Sequence, residues 1–141
     1  YIGRNLDSAV CLEGSLKLKE IAYLHSEAYP AGELKHGPIS LIEDGTLVVA
    51  LCTIQALLDK TLANVREVSA RGADVLCITL EDLEDRAGSV TDSIITIPRV
   101  HPVLQPSLSL IPLQLFAYYM AVNRGCDVDK PRNLAKSVTV E

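Results

Sequence analysis

Apolar residues recur along this 141-residue chain in two rhythms. Leu47-Val48-Val49-Ala50-Leu51-Cys52 is an unbroken apolar run behind Asp44-Gly45. Runs without alternation mark strands buried on both faces, as in a parallel sheet covered by helices. Segments 74–79 and 93–97 read as two further strands, the second stopped by Pro98. Between the first two strands, Leu58, Leu62, Val65 and Val68 follow a helical period, which predicts a helix over 55–71 closed by Gly72.

The same reading predicts a first helix over 8–29, with Asp7 or Ser8 as N-cap and Pro30-Ala31-Gly32 as its stop. Residues 1–4 read as the end of a strand, and 33–42 as a Gly37-Pro38 turn with one short helix. Acidic residues over 81–88 predict a short surface helix. A long apolar helix is predicted over 108–124, with Pro112 in its first turn and Gly125 as its cap. The tail, 127–141, has no clear period. Strands alternating with helices imply βαβ units. The expected fold is therefore α/β, a three-layer open sheet, mainly parallel. Ligands of such sheets are expected at the carboxyl ends of the strands.

Composition narrows the function classes. The length suits one domain, and 48% apolar with 22% charged residues excludes a disordered chain. A net charge of −5 supplies no strong positive field, so nucleic acid is not an expected partner. No apolar run approaches the roughly 18–20 residues of a membrane span, so no membrane partner is expected either. Cys11, Cys52, Cys77 and Cys126 show no Cys-x-x-Cys spacing and read as buried thiols of a reducing cytoplasm. Three histidines without pair spacing predict no metal site. The chain begins at Tyr1 and not at Met, so its natural N-terminus is expected upstream.

Three features carry candidate chemistry. On the first predicted helix, Glu13, Lys17, Glu20 and Leu24 fall within about 40° of one line. Periodicity alone reads this stripe as a solvated face with Glu13–Lys17 and Lys17–Glu20 pairs. The alternative is a row of acid, base and cation facing a cleft, in which a carboxylate beside a lysine stays ionised and serves as a general base. His36 lies in a loop shaped by Gly37-Pro38 and is poised to titrate near neutral pH. His25, within the predicted helix, and His101, beside Pro102, read as structural. In the tail, Leu134, Val138 and Val140 predict docking onto the domain. A lysine held there beside a cavity can lose its proton and attack a carbonyl.

The segments CLEGSLKLKEIAYLHSEAYPAGELKHGPISLI (11–42) and DVDKPRNLAKSVTVE (127–141) closely resemble the glucosamine-6-phosphate synthase family, also called glutamine–fructose-6-phosphate aminotransferases (isomerising). The similarity runs on through RGADV (71–75) and IPLQLFAYYMAVNRGCDVD (111–129). The resemblance implies that 1–141 is the second of two sugar-isomerase (SIS) domains, with 127–141 as its C-terminal tail. It implies that Lys136 forms a Schiff base with C2 of open-chain fructose 6-phosphate and that Glu20 moves a proton between C1 and C2. It further implies that Lys17 assists proton transfer at the sugar hydroxyl and that His36 opens the sugar ring, reaching across from the neighbouring subunit of a homodimer. Ala135, Glu13 and Arg132 are implied as sugar-binding residues.

By the same resemblance the product is glucosamine 6-phosphate, the location cytoplasmic, and no metal or cofactor is needed, because the lysine amine itself activates the carbonyl. The family's glutaminase domain is expected to be absent, as is its first SIS domain. Nothing in this chain matches that domain's Ser-x-Ser-Gly-x-Thr phosphate loop. The chain alone is therefore expected to be inactive. The alternatives are another SIS phosphosugar isomerase or deglycase, or a phosphosugar-sensing SIS regulatory module. A sensor needs neither Lys136 on an ordered tail nor Glu20 beside Lys17.

Overall fold

The computed structural model describes residues 1–132 and 134. Five strands form one sheet among them: β1 (Ile2–Gly3), β2 (Tyr29–Pro30), β3 (Leu47–Cys52), β4 (Asp74–Leu80) and β5 (Ile94–Ile97). Their order is β2-β1-β3-β4-β5, and every pairing is parallel. The helices are α1 (Leu6–Ala22), α2 (Leu58–Ser69), α3 (Glu84–Ala87) and α4 (Gln105–Asn123). Short 3-10 turns at Ala31–His36 and Pro38–Leu41 follow β2.

Alternate residues of β3 point to opposite faces. Val49 and Leu51 pack with Ile78, Val10, Cys11 and Leu113 under α1 and α4. Val48, Ala50 and Cys52 pack with Val75, Cys77, Leu58 and Leu62 under α2. That division makes the three layers, and it explains why β3 and β4 have no polar face: both of their faces are core.

The structure corrects four details of the sequence reading. Helix α1 ends at Ala22 and not near residue 29, because Tyr23 turns into the left-handed region (φ 56°, ψ 33°). Leu24 and His25 therefore lie outside the helix. The chain then enters β2, a strand the pattern does not reveal, where the Tyr29 N–H donates to the Tyr1 carbonyl (2.9 Å). Pro30 is tolerated because β2 is an edge strand that needs no second ladder donor.

The N-cap of α1 is Asn5, and it makes no side-chain cap bond. The Asp7 carboxylate instead accepts from Thr53 N–H (2.8 Å) and from the Thr53 hydroxyl, tying the start of α1 to the end of β3. Finally, α4 starts at Gln105, which places Pro106 in its first turn and Pro112 inside the helix. There Pro112 cannot donate to the Leu108 carbonyl.

The cysteines are free thiols, three of them buried and Cys126 half-buried. Among the described residues no helix is long and apolar enough to cross a membrane, and no group of three potential ligands could hold a metal ion.

Candidate active site

Helix α1 follows β1 and runs back along the sheet, so its last turn lies beside Tyr1, where Leu18 and Ala22 pack with the first residue of the chain. The charged stripe thus ends at the amino ends of the strands. This is the opposite edge from the one expected for ligands of an open parallel sheet, because the candidate residues sit at the end of a crossover helix and not at its start.

Lys17 Nζ is 2.6 Å from Glu20 Oε2 and 3.4 Å from Glu13 Oε1. The spacings i,i+3 and i,i+4 place all three on one helix face. Side-chain exposures of 29% for Lys17 and 27% for Glu20 describe a rim, not a freely solvated face. The hydrogen bond to Glu20, reinforced by Glu13, holds the Lys17 ammonium above its ordinary pKa despite partial burial. Lys17 is thus held as an ammonium between the Glu13 and Glu20 side chains.

Glu20 lines a cavity of about 350 Å³ with Lys19, Tyr23, Leu24, His25, Arg132 and Leu134. The far wall is built from the tail. Gly125 (φ 69°) ends the chain's run along α4, and Asp127 Oδ1 then accepts from the N–H groups of Asp129 (3.0 Å) and Lys130 (3.1 Å). This Asx turn redirects the chain. Cys126 and Val128 pack against the Leu18–Ala22–Ala117–Ala121 cluster. Arg132 N–H donates to the Tyr23 hydroxyl (2.8 Å), and the Arg132 guanidinium lies 4.2 Å above the Tyr23 ring.

The structure therefore brings Glu20 and Arg132 to one cavity at the end of α1, with Lys17 and Glu13 linked to Glu20 along the helix face. Arg132 meets Tyr23, a residue that the sequence pattern does not single out. An aromatic residue one turn past Glu20 is the only local signal for it. Leu134 is half-exposed on the cavity wall. Ala135, Lys136, Val138 and Val140 lie outside the described residues.

His36 is not brought to this end. It closes the 3-10 turn Ala31–His36, whose Ala31 and Leu34 are buried in the core on the α2 face. Lys35 Nζ pairs with Glu67 of α2 (2.8 Å), which anchors the turn there. The His36 side chain is 74% exposed, with Nε2 at 3.9 Å from Glu33. Within one chain, the sheet separates His36 from Lys17 and Glu20. His25 is exposed near Glu27, and His101 is an exposed loop residue whose Nδ1 accepts from Val103 N–H (3.4 Å). A larger cavity of about 620 Å³ under the amino ends of β1 and β3 is lined mainly by apolar residues, among them Leu18, Leu34, Val48, Phe116 and Met120.

The family model for the SIS domain matches residues 1–124. The chain belongs to the SIS domain family. Along all 141 residues this SIS domain is 60% identical to a glutamine–fructose-6-phosphate aminotransferase (isomerizing) of Caldanaerobacter subterraneus subsp. tengcongensis and 58% identical to that of Clostridium tetani. It spans about 23% of the length of these curated relatives. It is also similar to a solved structure, the C-terminal domain of glucosamine-fructose-6-phosphate aminotransferase from Francisella tularensis, with a TM-score of 0.86 and 41% identity over 92% of this chain and 36% of that one. The family match stops before Arg132, whereas the likeness to the curated aminotransferases includes the tail.

Proposed function

We propose that this SIS domain is the second isomerase domain of a cytoplasmic glutamine–fructose-6-phosphate aminotransferase. In this reading it performs the sugar chemistry that turns fructose 6-phosphate and ammonia into glucosamine 6-phosphate. The observation that carries the reading is that Glu20, paired with Lys17, lines one cavity with Arg132 and Leu134 of the returning tail. Lys136 follows Leu134 by two residues in the sequence and lies outside the described residues. The free thiols suit a reducing cytoplasm.

The chemistry proceeds as follows. The Lys136 amine adds to C2 of the open-chain ketose, and water leaves to give the imine. Ammonia displaces the lysine, leaving C2=NH on the sugar. Glu20 removes a proton from C1 while the nitrogen gains one, giving the enolamine. Return of a proton to C2 and loss of the O1 proton, with Lys17 serving the oxygen, yield the 2-amino aldose. His36 opens the ring from a second copy in a homodimer, a placement consistent with its position across the sheet from Glu20. Glu13 holds Lys17 in register, and Ala135 and Arg132 border the sugar.

The test uses the complete enzyme carrying this domain. Borohydride with fructose 6-phosphate is expected to label Lys136, and Lys136→Arg to abolish labelling. Glu20→Gln is expected to keep labelling but slow C1–C2 proton exchange by about 10²–10⁴-fold. Labelling of a different lysine, or unimpaired exchange in Glu20→Gln, overturns the reading.

A further inference from the structure

Tyr23 sits in a conformation that side chains avoid. A left-handed residue at a helix end is ordinarily glycine or asparagine. Here a tyrosine adopts it (φ 56°, ψ 33°) directly after α1. The turn sends its half-buried ring away from the helix axis toward the tail. Two contacts meet it there, and they are chemically independent. The hydroxyl accepts the Arg132 backbone N–H (2.8 Å), and the ring face receives the Arg132 guanidinium (4.2 Å). The partners are 109 residues apart, so neither contact is a by-product of local geometry.

Other parts of the molecule explain less. The cavity under the amino ends of β1 and β3 is walled mainly by apolar residues, with His25, Ser26, Glu27 and Thr46 among its polar lining. The buried thiols of Cys52 and Cys77 belong to the core. The apolar outer face of α4, with Ile111, Leu115, Tyr119 and Val122 half-exposed, has nothing to say what covers it.

We infer that Tyr23 is a positioning residue: it moors the tail at Arg132, four residues before Lys136, to the end of the helix that carries Glu20. The inference rests on the proposed imine chemistry for its purpose, though not for the mooring itself. Glu20 and Tyr23 are three residues apart and line the same cavity. Fixing Arg132 confines Lys136 to within about 14 Å of chain from that anchor. An unmoored tail samples a far larger volume, so the amine would meet C2 less often with no loss of its intrinsic reactivity. The proposed chemistry asks no bond made or broken of Tyr23 itself. Tyr23 acts through the tail.

The hydrogen bond and the cation–π contact together correspond to roughly ten-fold in the ratio of docked to free tail. The first measurement needs no chemistry. Amide exchange at Arg132 in the 141-residue chain is expected to be slower than in Tyr23→Phe, which keeps the ring but loses the acceptor, by about three-fold or more. Equal exchange rates in the two proteins overturn the mooring.

The second measurement uses the complete enzyme. Tyr23→Phe is expected to slow borohydride trapping on Lys136 by about three-fold, and Tyr23→Leu by about ten-fold. In both variants the loss in trapping rate is expected to exceed any change in KM for fructose 6-phosphate. Trapping at the wild-type rate in Tyr23→Leu overturns the positioning role. So does a change confined to KM. Absence of trapping in the wild-type enzyme is a different failure. It removes the imine chemistry and with it the tail's catalytic purpose, while the amide measurement decides the mooring independently.

Discussion

Gly14 of α1 lies directly against Leu113 of α4, and replacing it should expose how tightly the site's helix is set. A Cβ added at Gly14 would lie 2.7 Å from Leu113 Cδ1, 3.1 Å from its Cβ and 3.3 Å from its Cγ. Leu113 is fully buried, so its side chain cannot swing into solvent. On helix propensity alone Gly14→Ala gains about 1 kcal/mol. Overpacking of a filled core costs about 1–3 kcal/mol. The expected net is a loss of about 1 kcal/mol, or roughly 3–5 °C in Tm for a domain of this size. Leu113→Ala alone should cost about 3–5 kcal/mol. In the double variant the clashing Cγ and Cδ1 are gone and only the Cβ of residue 113 stays close, at 3.1 Å, a contact that the new void lets relax, so the methyl group on α1 keeps its propensity gain. The double variant should therefore be about 1 kcal/mol more stable than Leu113→Ala, a coupling of about 2 kcal/mol. Urea unfolding of the four proteins measures this cycle. Additivity within about 0.4 kcal/mol, or a stabilised Gly14→Ala, would refute the reasoning.

Two further predictions concern the start of α1. Asn5 has φ 54° and ψ −126°, a region open in practice to glycine alone, so Asn5→Gly should raise stability by about 1 kcal/mol and Asn5→Ala lower it, as read by calorimetric Tm. Asp7 has its carboxyl pushed up because burial outweighs the bonds it accepts from Thr53 and Ile54. The unfolded chain releases this proton near pH 4 and the folded chain only at higher pH, so the contribution is full below about pH 4 and is lost as pH rises through the folded value. Wild-type stability relative to Asp7→Asn should thus be greater at pH 4 than at pH 7 in denaturant titrations. A gap that widens toward pH 7 contradicts the assignment.

The parts of the fold legible in the sequence are those whose signal is local. β3 and β4 announce themselves because both faces are core and nearly every position is apolar. The Glu13–Lys17–Glu20 row is legible because helical spacing alone puts those residues together. β1 and β2 contribute two residues each to the sheet, too few for any period to show. The end of α1 escapes the pattern for a related reason. Nothing in a tyrosine's own preferences asks for a left-handed backbone, and its visible partner, Arg132, comes from the other end of the chain. The separation of His36 from Glu20 is invisible too. It follows from the strand order β2-β1-β3, which sends the turn after β2 beneath α2. The edge of the sheet at which the cavity lies departs from expectation because the rule of thumb concerns groups at helix starts, whereas Glu20 stands at a helix end.

The two rims of the sheet differ in what they offer a newly made chain. The β2 rim is two residues long and closes on Pro30, which has no hydrogen to give to an added strand. The β5 rim is Ile94-Ile95-Thr96-Ile97, four β-branched residues in a row without a charge, and only Pro98 limits it. Aggregation during synthesis or refolding should therefore begin by strand addition at β5. Ile95→Lys would be the mildest way to suppress it, since that position is partly exposed, lies on the sheet's outermost strand and stands far along the sheet from the Glu20 cavity.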